Sequence, residues 1–583
     1  MKDVLQKNIA FLSRYYPSII PRLIQTPRSA IVKGECTPNI YLNRRAFHSV
    51  SNPDREAENM VNQLNVKPGY LFIFMGIGMG YHIRKFRKLY SKNIDRITLV
   101  AIEKSMEAFS LMVQNTDISF LEGVDLFIDQ PPERITQYFD GLEPENLRGF
   151  RIIKLRGAYN QFRSYYNYLE ETFKIIASQK LSGVLTRHAF EKLWMKNIVK
   201  NIPHLVNKHP INVLKGSLSG APALVLGAGH SLHRQLRTIK TIASNTYIIA
   251  ADTALEPLLK SEITPDFVVS LDSQFHNLDD FHLVFTADSP PPDTTLIADI
   301  TAYPEILKNW KGRVFFSRTE LQSAGGDKRG PYPLLEKLFR EYFAFDSLLC
   351  GGSVITTALE FALYAGAAPV VVAGLDLSYT NYSTHLNSSP AYNRFFRAAT
   401  RLNSLESMMV SSIRKRELQY LPGTGGQKVL SDFVFNNYLA WISQRKPYQD
   451  NVINATINGA RIPNLGHCRL EELIHRGYFK APKPTFLLNP TPVLGPRSCL
   501  QFLGSLELEV ENALNELESA AATQNYHIIA DCIARYPSLE NIIREALVIY
   551  PDPLRRCTYL MVFLNFLRKQ IGCSIKRLDQ RDG

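Results

Sequence analysis

Gly227 and Gly229 stand one residue apart at the end of a short apolar run, Ala223-Leu-Val-Leu, with Ser231 two positions further on. Glycine permits positive φ and close backbone approach, and a helix starting there offers free N–H groups to an anion. The chemistry this turn suits is the seating of a phosphate-bearing ligand. The same punctuation recurs: Asp252-Thr253 follow Thr246-Tyr-Ile-Ile-Ala-Ala, and Asp272-Ser273 follow Phe267-Val-Val-Ser-Leu. In open parallel sheets ligands gather outside the carboxyl ends of the strands. Gly227, Ala228, Gly229, Ser231, Asp252, Thr253, Asp272 and Ser273 are therefore expected to line one crevice. Taken singly, each Asp, Ser or Thr there also suits a helix cap.

Further along, Gly351-Gly352-Ser353 precede the helical pattern Val354-Ile-Thr-Thr-Ala-Leu-Glu, a second expected anion seat. The apolar run Pro369-Val-Val-Val-Ala then ends in Gly374, with Asp376 at the rim and Tyr379 and His385 in the loop beyond.

Strand-length apolar runs alternating with helical patterns predict a parallel sheet, so the fold class is multidomain α/β. A central domain is expected over 216–480. Before it come a small β-rich leader (1–60), a Rossmann-like domain (61–150) and a helical connector (151–215). In the Rossmann-like stretch, Gly76, Gly78 and Gly80 follow an apolar strand, and a second strand ends at Glu103, where such folds place an acid for ribose hydroxyls. This turn is similar to the first motif of S-adenosylmethionine-dependent methyltransferases. In the connector, Tyr159, Tyr165, Tyr166, Tyr168 and Phe173 recur near helical spacing and read as packing. A proline-rich stretch, Ala481-Pro-Lys-Pro through Asn489-Pro-Thr-Pro, reads as a linker to a helical domain over 505–583 suited to acceptor binding or self-association.

At 583 residues the chain exceeds what one core holds and implies roughly two to four domains. No apolar run is long enough to span a bilayer, and the first residues lack the apolar core of a signal peptide, so a cytoplasmic location is expected. The seven cysteines are scattered without a C-x-x-C pair, which indicates neither a disulfide framework nor a zinc site. The net charge of +13 attracts polyanions, yet its Lys and Arg are spread along helical stretches without a nucleic-acid-binding motif, so anionic small substrates or an acidic partner are expected instead.

With these blocks assembled, the chain resembles the motility accessory factor family of flagellin glycosyltransferases, whose central domain is related to bacterial sialyltransferases. Gly227-Ala-Gly-His-Ser resembles the sialyltransferase Gly-Asn-Gly-Pro-Ser turn, with Ala228 in place of Asn and His230 in place of Pro. Pro265-Asp-Phe-Val-Val-Ser-Leu-Asp, and Gly352-Ser-Val-Ile-Thr-Thr-Ala through Gly374-Leu-Asp-Leu-Ser-Tyr-Thr, match further blocks in order and spacing. The resemblance covers residues 30 to 400 and is strongest from Ala223 to His385. It implies a CMP-activated nonulosonic acid, such as pseudaminic or legionaminic acid, as donor substrate. The implied acceptor is a Ser or Thr of flagellin, with no tightly bound cofactor and no metal. On that scheme amides at Gly229–Ser231 and Gly352–Ser353 bind phosphate or carboxylate, and Asp252 and Asp272 contact ribose or cytosine. His385 or Asp376 takes the acceptor proton and Tyr379 protonates the leaving phosphate. An archaeal pterin pyrophosphokinase family shares a related central fold and would use ATP and Mg²⁺ at Asp252 and Asp272. A flagellin-binding assembly factor without catalysis is the third reading.

Overall fold

The computed structural model describes residues 2–582 except 25–28, 35–36, 63, 67–68, 92–96, 143–148, 287–292, 323–327, 330–338, 340, 344–345, 384, 485–493, 526–527, 537–538, 540–541, 544–545, 548–549 and 551. Cys36 and the second half of the proline-rich linker lie outside the described residues. The chain divides into two compact units, the first built on Met1–Thr186 and the second on Arg187–Gln322, Asp327–Ala546 and Tyr550–Gly583.

The first unit opens on a helix, Lys2–Tyr15, ahead of the β-rich part of the leader. A small antiparallel sheet follows, of β1 (Ala30–Lys33), β2 (Asn39–Leu42) and β3 (Arg45–Ala46). Asn52 then caps helix Pro53–Val61 by accepting the Arg55 N–H at 2.9 Å. The unit's core is a parallel sheet in the order β6-β5-β4-β7, with β4 at Tyr70–Met75, β5 at Thr98–Glu103, β6 at Asp125–Ile128 and β7 at Gly149–Lys154. The connector expected from 151 thus begins inside a strand, because Arg151 and Lys154 interrupt the apolar pattern of this edge. Tyr166 and Phe173 of helix Arg163–Asn201 are buried as packing residues, whereas Tyr168 is exposed.

In the second unit the central strands are β9 (Ala223–Leu226), β10 (Tyr247–Ala251), β11 (Phe267–Ser270), β12 (Thr295–Asp299) and β13 (Val314–Gln322). Next come β15 (Ser347–Leu349), β16 (Val370–Ala373) and β19 (Val452–Asn454). The strands β13-β12-β11-β10-β9-β16-β19 lie in that order and all pair in parallel. Their side chains are buried almost throughout, as expected for a parallel sheet covered on both faces. From β9 the chain runs outward through β10 to β13, then returns on the other side of β9 as β16. The topological switch therefore falls at β9, and a ligand crevice belongs outside the carboxyl ends of β9 and its neighbours.

A hairpin of β17 (Leu418–Pro422) and β18 (Lys428–Asp432) occupies the stretch whose Gly423-Thr-Gly-Gly reads as a surface turn in the sequence. The C-terminal helices begin at Pro496, earlier than the expected boundary at 505, and belong to the second unit instead of forming a separate one. Phe502 explains this, with its ring stacked on Phe343 at 5.1 Å. Among the described residues no helix is long and apolar enough to cross a membrane.

Candidate active site

The two glycine turns at the switch point are pressed together. Gly227 N–H donates to Ala373 O at 3.0 Å, and Gly229 N–H to Gly374 O at 2.9 Å. A Cβ on Gly227 would stand 2.7 Å from Gly374 O, and one on Gly229 would stand 2.5 Å from both that oxygen and Asp376 Oδ1. No L side chain fits between them. The loop carrying His385 is tied to the same turn, since Leu386 N–H donates to Ala228 O at 3.0 Å.

The turn does hold an anion, but the anion is the protein's own. Ser231 N–H donates to Asp376 Oδ2 at 2.9 Å and the Ser231 hydroxyl donates to Oδ1. Asp376 is 4% exposed, and burial pushes its carboxyl up against the opposing pull of the Ser231 and His230 bonds. The amides of Gly229 and Ser231 are therefore not open to phosphate. Asp376 is a buried brace between the β9 and β16 turns and not a base at the rim. From sequence alone, an Asp past a strand end looks the same in either role.

On the β10 and β11 side, Asp252 is 1% exposed and turned into a network. It accepts the Thr253 N–H at 2.8 Å on one oxygen and Asn277 Nδ2 at 2.9 Å on the other. Asn277 Nδ2 also donates to Asp280 Oδ2 at 3.1 Å, and Asn277 Oδ1 accepts from the Ser270 hydroxyl at 2.9 Å. Asp272 is half-buried and accepts the Gln274 N–H at 2.9 Å, while Asn197 Nδ2 takes the carbonyl of the buried Ser273 at 2.9 Å. Asp252 and Ser273 thus brace the crevice floor and do not face into it. Sequence reading missed Asn277 and Asp280, which follow β11 within the 3-10 segment Phe275–Phe281.

Burial raises both Asp252 and Asp280; the Asp272 charge adds to the rise at Asp252 and the Asp252 charge to that at Asp280, with Asn277 opposing at both and Arg394 at Asp280. The folded pair keeps a proton that the unfolded chain releases. This stability is complete below the ordinary carboxylate range and is lost as pH rises through neutrality, at up to about 1.4 kcal/mol per pH unit for one shared proton. Urea denaturation at about pH 6 and about pH 8.5 is expected to show that loss in the wild type and a shallower one in Asp280→Asn. Equal slopes in the two proteins would contradict the shared-proton account.

On the β16 side, Tyr379 is buried and its hydroxyl donates to Asp432. Arg416 Nη1 donates to the same Asp432 oxygen at 3.0 Å, and Phe435 N–H donates to the other at 2.8 Å. Burial and Asp432 push the Tyr379 phenol up, so its proton is committed to Asp432 and not to a leaving phosphate. His385 is lowered to about 4, first by burial and then by Arg394 and Arg416. It is neutral at pH 7, with two cations near it. Arg394 Nη1 also reaches Asp279 Oδ2 at 3.2 Å.

In the loop after β15, Gly351 N–H donates to Thr356 Oγ1 at 2.9 Å and Gly352 N–H to Cys350 Sγ at 3.3 Å. These two amides are spent within the loop. Gly352 has φ +98, and a Cβ there would stand 2.6 Å from Tyr438 Cε1. Ser353 opens helix Val354–Tyr364 without its side chain capping it.

The first unit's glycine turn is closed in the same way. Ile77 and Gly78 N–H donate to Glu103 Oε2 at 2.9 and 3.3 Å, and Met79 N–H to His48 Nε2 at 2.8 Å. Glu103 is fully buried, and a Cβ on Gly78 would strike His48. The acid expected on ribose hydroxyls holds the turn itself, so these residues do not fit S-adenosylmethionine. Among the described residues no group of three or more His, Cys, Asp or Glu is arranged to hold a metal ion.

Residues 196–382 match a family model described as 6-hydroxymethylpterin diphosphokinase MptE-like. Two uncharacterised proteins of Treponema pallidum (strain Nichols) are similar. One is 24% identical over 37% of this chain and 59% of its own length, the other 28% identical over 40% and 47%. The 6-hydroxymethyl-7,8-dihydropterin pyrophosphokinase of Methanocaldococcus jannaschii is 33% identical over 12% of this chain and 32% of its own. The chain thus spans about half the length of the curated relatives it matches. Among solved structures, the Maf glycosyltransferase from Magnetospirillum magneticum AMB-1 superposes with a TM-score of 0.59 at 14% identity, covering 99% of this chain and 95% of that one. The motility accessory factor resemblance is borne out in the fold.

Proposed function

We propose, from a fold shared along nearly the whole chain with a Maf glycosyltransferase, that this protein transfers a nonulosonic acid from a CMP-sugar to Ser or Thr hydroxyls of flagellin in the cytoplasm. The observation that carries the reading is end-to-end coverage, which a shared nucleotide-binding core alone does not explain. The switch-point rim supports it chemically.

In the proposed reaction the bond from the anomeric carbon to the CMP phosphate oxygen breaks, and the acceptor hydroxyl oxygen bonds that carbon. The hydroxyl proton passes to His385, and the phosphate leaves with the bonding electrons. Neutral His385 is in the form that accepts a proton. Asp376 and Ser231 hold the turn against which the His385 loop is pinned.

The matched family model favours a second reading, pyrophosphoryl transfer to a pterin from ATP. A thermal-shift comparison separates the two. Stabilisation by CMP and not ATP is expected, and the reverse would favour the pterin enzyme. Intact-mass measurement of flagellin from cells with and without the protein is expected to differ by the transferred sugar. Identical masses would leave the pterin enzyme or a binding role.

A further inference from the structure

We propose that Lys196, Lys200 and Arg577, none of them a residue of the switch-point rim, form a binding site for a phosphate group between helices Arg163–Asn201 and Pro553–Asp582. The inference does not depend on which nucleotide the crevice takes.

The two helices run against each other. Lys192 Nζ stands over the Tyr559 ring at 5.1 Å and the Phe563 ring at 6.0 Å, and the turn Ile202–His204 packs on helix Pro553–Asp582. Lys192, Lys196 and Lys200 follow at four-residue intervals and so share one face of their helix. Lys196 and Lys200 are half-buried and Arg577 is exposed. Burial lowers the Lys200 ammonium, the charges of Lys196 and Arg577 lower it further, and Glu305 and Cys573 oppose. Arg577 thus brings a third cation to this face from the neighbouring helix.

No acid answers these charges. Glu305 is bonded to Lys308 Nζ at 3.0 Å, and among the described residues Lys196, Lys200 and Arg577 make no ion pair or hydrogen bond. The helix dipole accounts for one cation in the last turn of Arg163–Asn201, where Lys200 stands. It does not account for a second one turn back and a third across from it, because like charges at that spacing destabilise. An anion between them removes the repulsion. Cations converging from two helices suit the double charge and several oxygens of a phosphate group better than a lone carboxylate, and guanidinium matches phosphate geometry.

The same turns hold the rim. Asn197 Nδ2 donates to the Ser273 and Thr301 carbonyls at 2.9 Å, and Asn201 Nδ2 to those of Ile300 and Ala302 at 2.8 Å. Phosphate bound here therefore grips the helix that braces the loops after β11 and β12.

Cys573 reports on the site, being exposed, one turn before Arg577 and close enough to act on Lys200. Its alkylation by iodoacetamide, mapped by mass spectrometry, and thermal unfolding are measured in inorganic phosphate against chloride at equal ionic strength. Wild type is expected to show slower Cys573 labelling and a raised Tm as phosphate saturates. Lys200→Gln is expected to bind phosphate about ten-fold more weakly, one charge-assisted contact's worth. Freed of a like charge, it is expected to be no less stable than wild type without phosphate. Lys88→Gln, in helix Tyr81–Leu89 of the first unit, is the control and is expected to respond as wild type does. Phosphatidylcholine vesicles containing phosphatidic acid form a second arm, and protection of Cys573 by them alone assigns the same site to a lipid headgroup. Labelling that neither source slows, or equal phosphate protection in Lys200→Gln and wild type, overturns the site. So does a Tm shift without Cys573 protection, which places the phosphate elsewhere.

Discussion

Gly374→Ala is expected to lose about 3–5 kcal/mol of stability, the sum of left-handed backbone strain and overpacking in a closed site. Gly374 has φ +69, and a Cβ there would collide with the Gly227 carbonyl and lie 3.2 Å from the Leu232 Cβ. The chain has no slack, because Gly229 N–H is bonded to the Gly374 carbonyl and Ser231 to Asp376. Pushing the turns apart would strand those donors away from water, which is itself costly. Gly504→Ala is the matched control. It lies in helix Pro496–Thr523 with open space where a Cβ would go, and is expected to be neutral or stabilising by about 0.5–1 kcal/mol. Urea denaturation of the two variants checks both signs. A Gly374→Ala protein as stable as wild type would mean the two turns are not in contact.

His385→Ala is expected to slow sugar transfer by about 10²–10⁴-fold, the range for a lost general base, with donor KM changed little. The fold does not depend on the imidazole, since the backbone ties the loop: Leu386 N–H to Ala228 O, and the Ser383 hydroxyl to the His385 carbonyl at 2.5 Å. Burial and two arginines hold the imidazole near 4, so in the free enzyme the acidic limb of kcat/KM is expected at about that pH. A bound anionic donor offsets the arginines and favours the imidazolium, which raises the pKa. The acidic limb of kcat is therefore expected at higher pH than that of kcat/KM. Profiles that coincide, or a His385→Ala enzyme turning over at wild-type rate, would remove the base.

Much of the sheet was legible because each central strand is a short apolar run closed by Gly, Asp or Ser. Ala223–Leu226, Tyr247–Ala251 and Val370–Ala373 fall within a residue of expectation. The switch point and its rim residues follow from that punctuation. What each rim residue faces does not. Asp376 meets Ser231 across 145 positions of sequence, through a register that only the folded β9–β16 pair defines. The same holds for Glu103, whose spacing fits a ribose contact although its oxygens close the turn. Arg416 and Asp432 escaped notice because the hairpin joining them has a Gly-rich loop, and its strand Leu418-Gln-Tyr-Leu-Pro is half-exposed and weakly patterned. The C-terminal boundary moved for a similar reason, since Phe502 packs on Phe343, far away in sequence.

The central claim is that a cytidine nucleotide occupies the rim where the β9, β15 and β16 loops meet. A crystal structure of the protein soaked with CMP tests it most directly. Density is expected between the Gly227–Ser231 turn and Ser353, with the phosphate on the side of Arg416 and His385. Nucleotide bound elsewhere, or a soak at saturating CMP with this rim empty, would contradict the account.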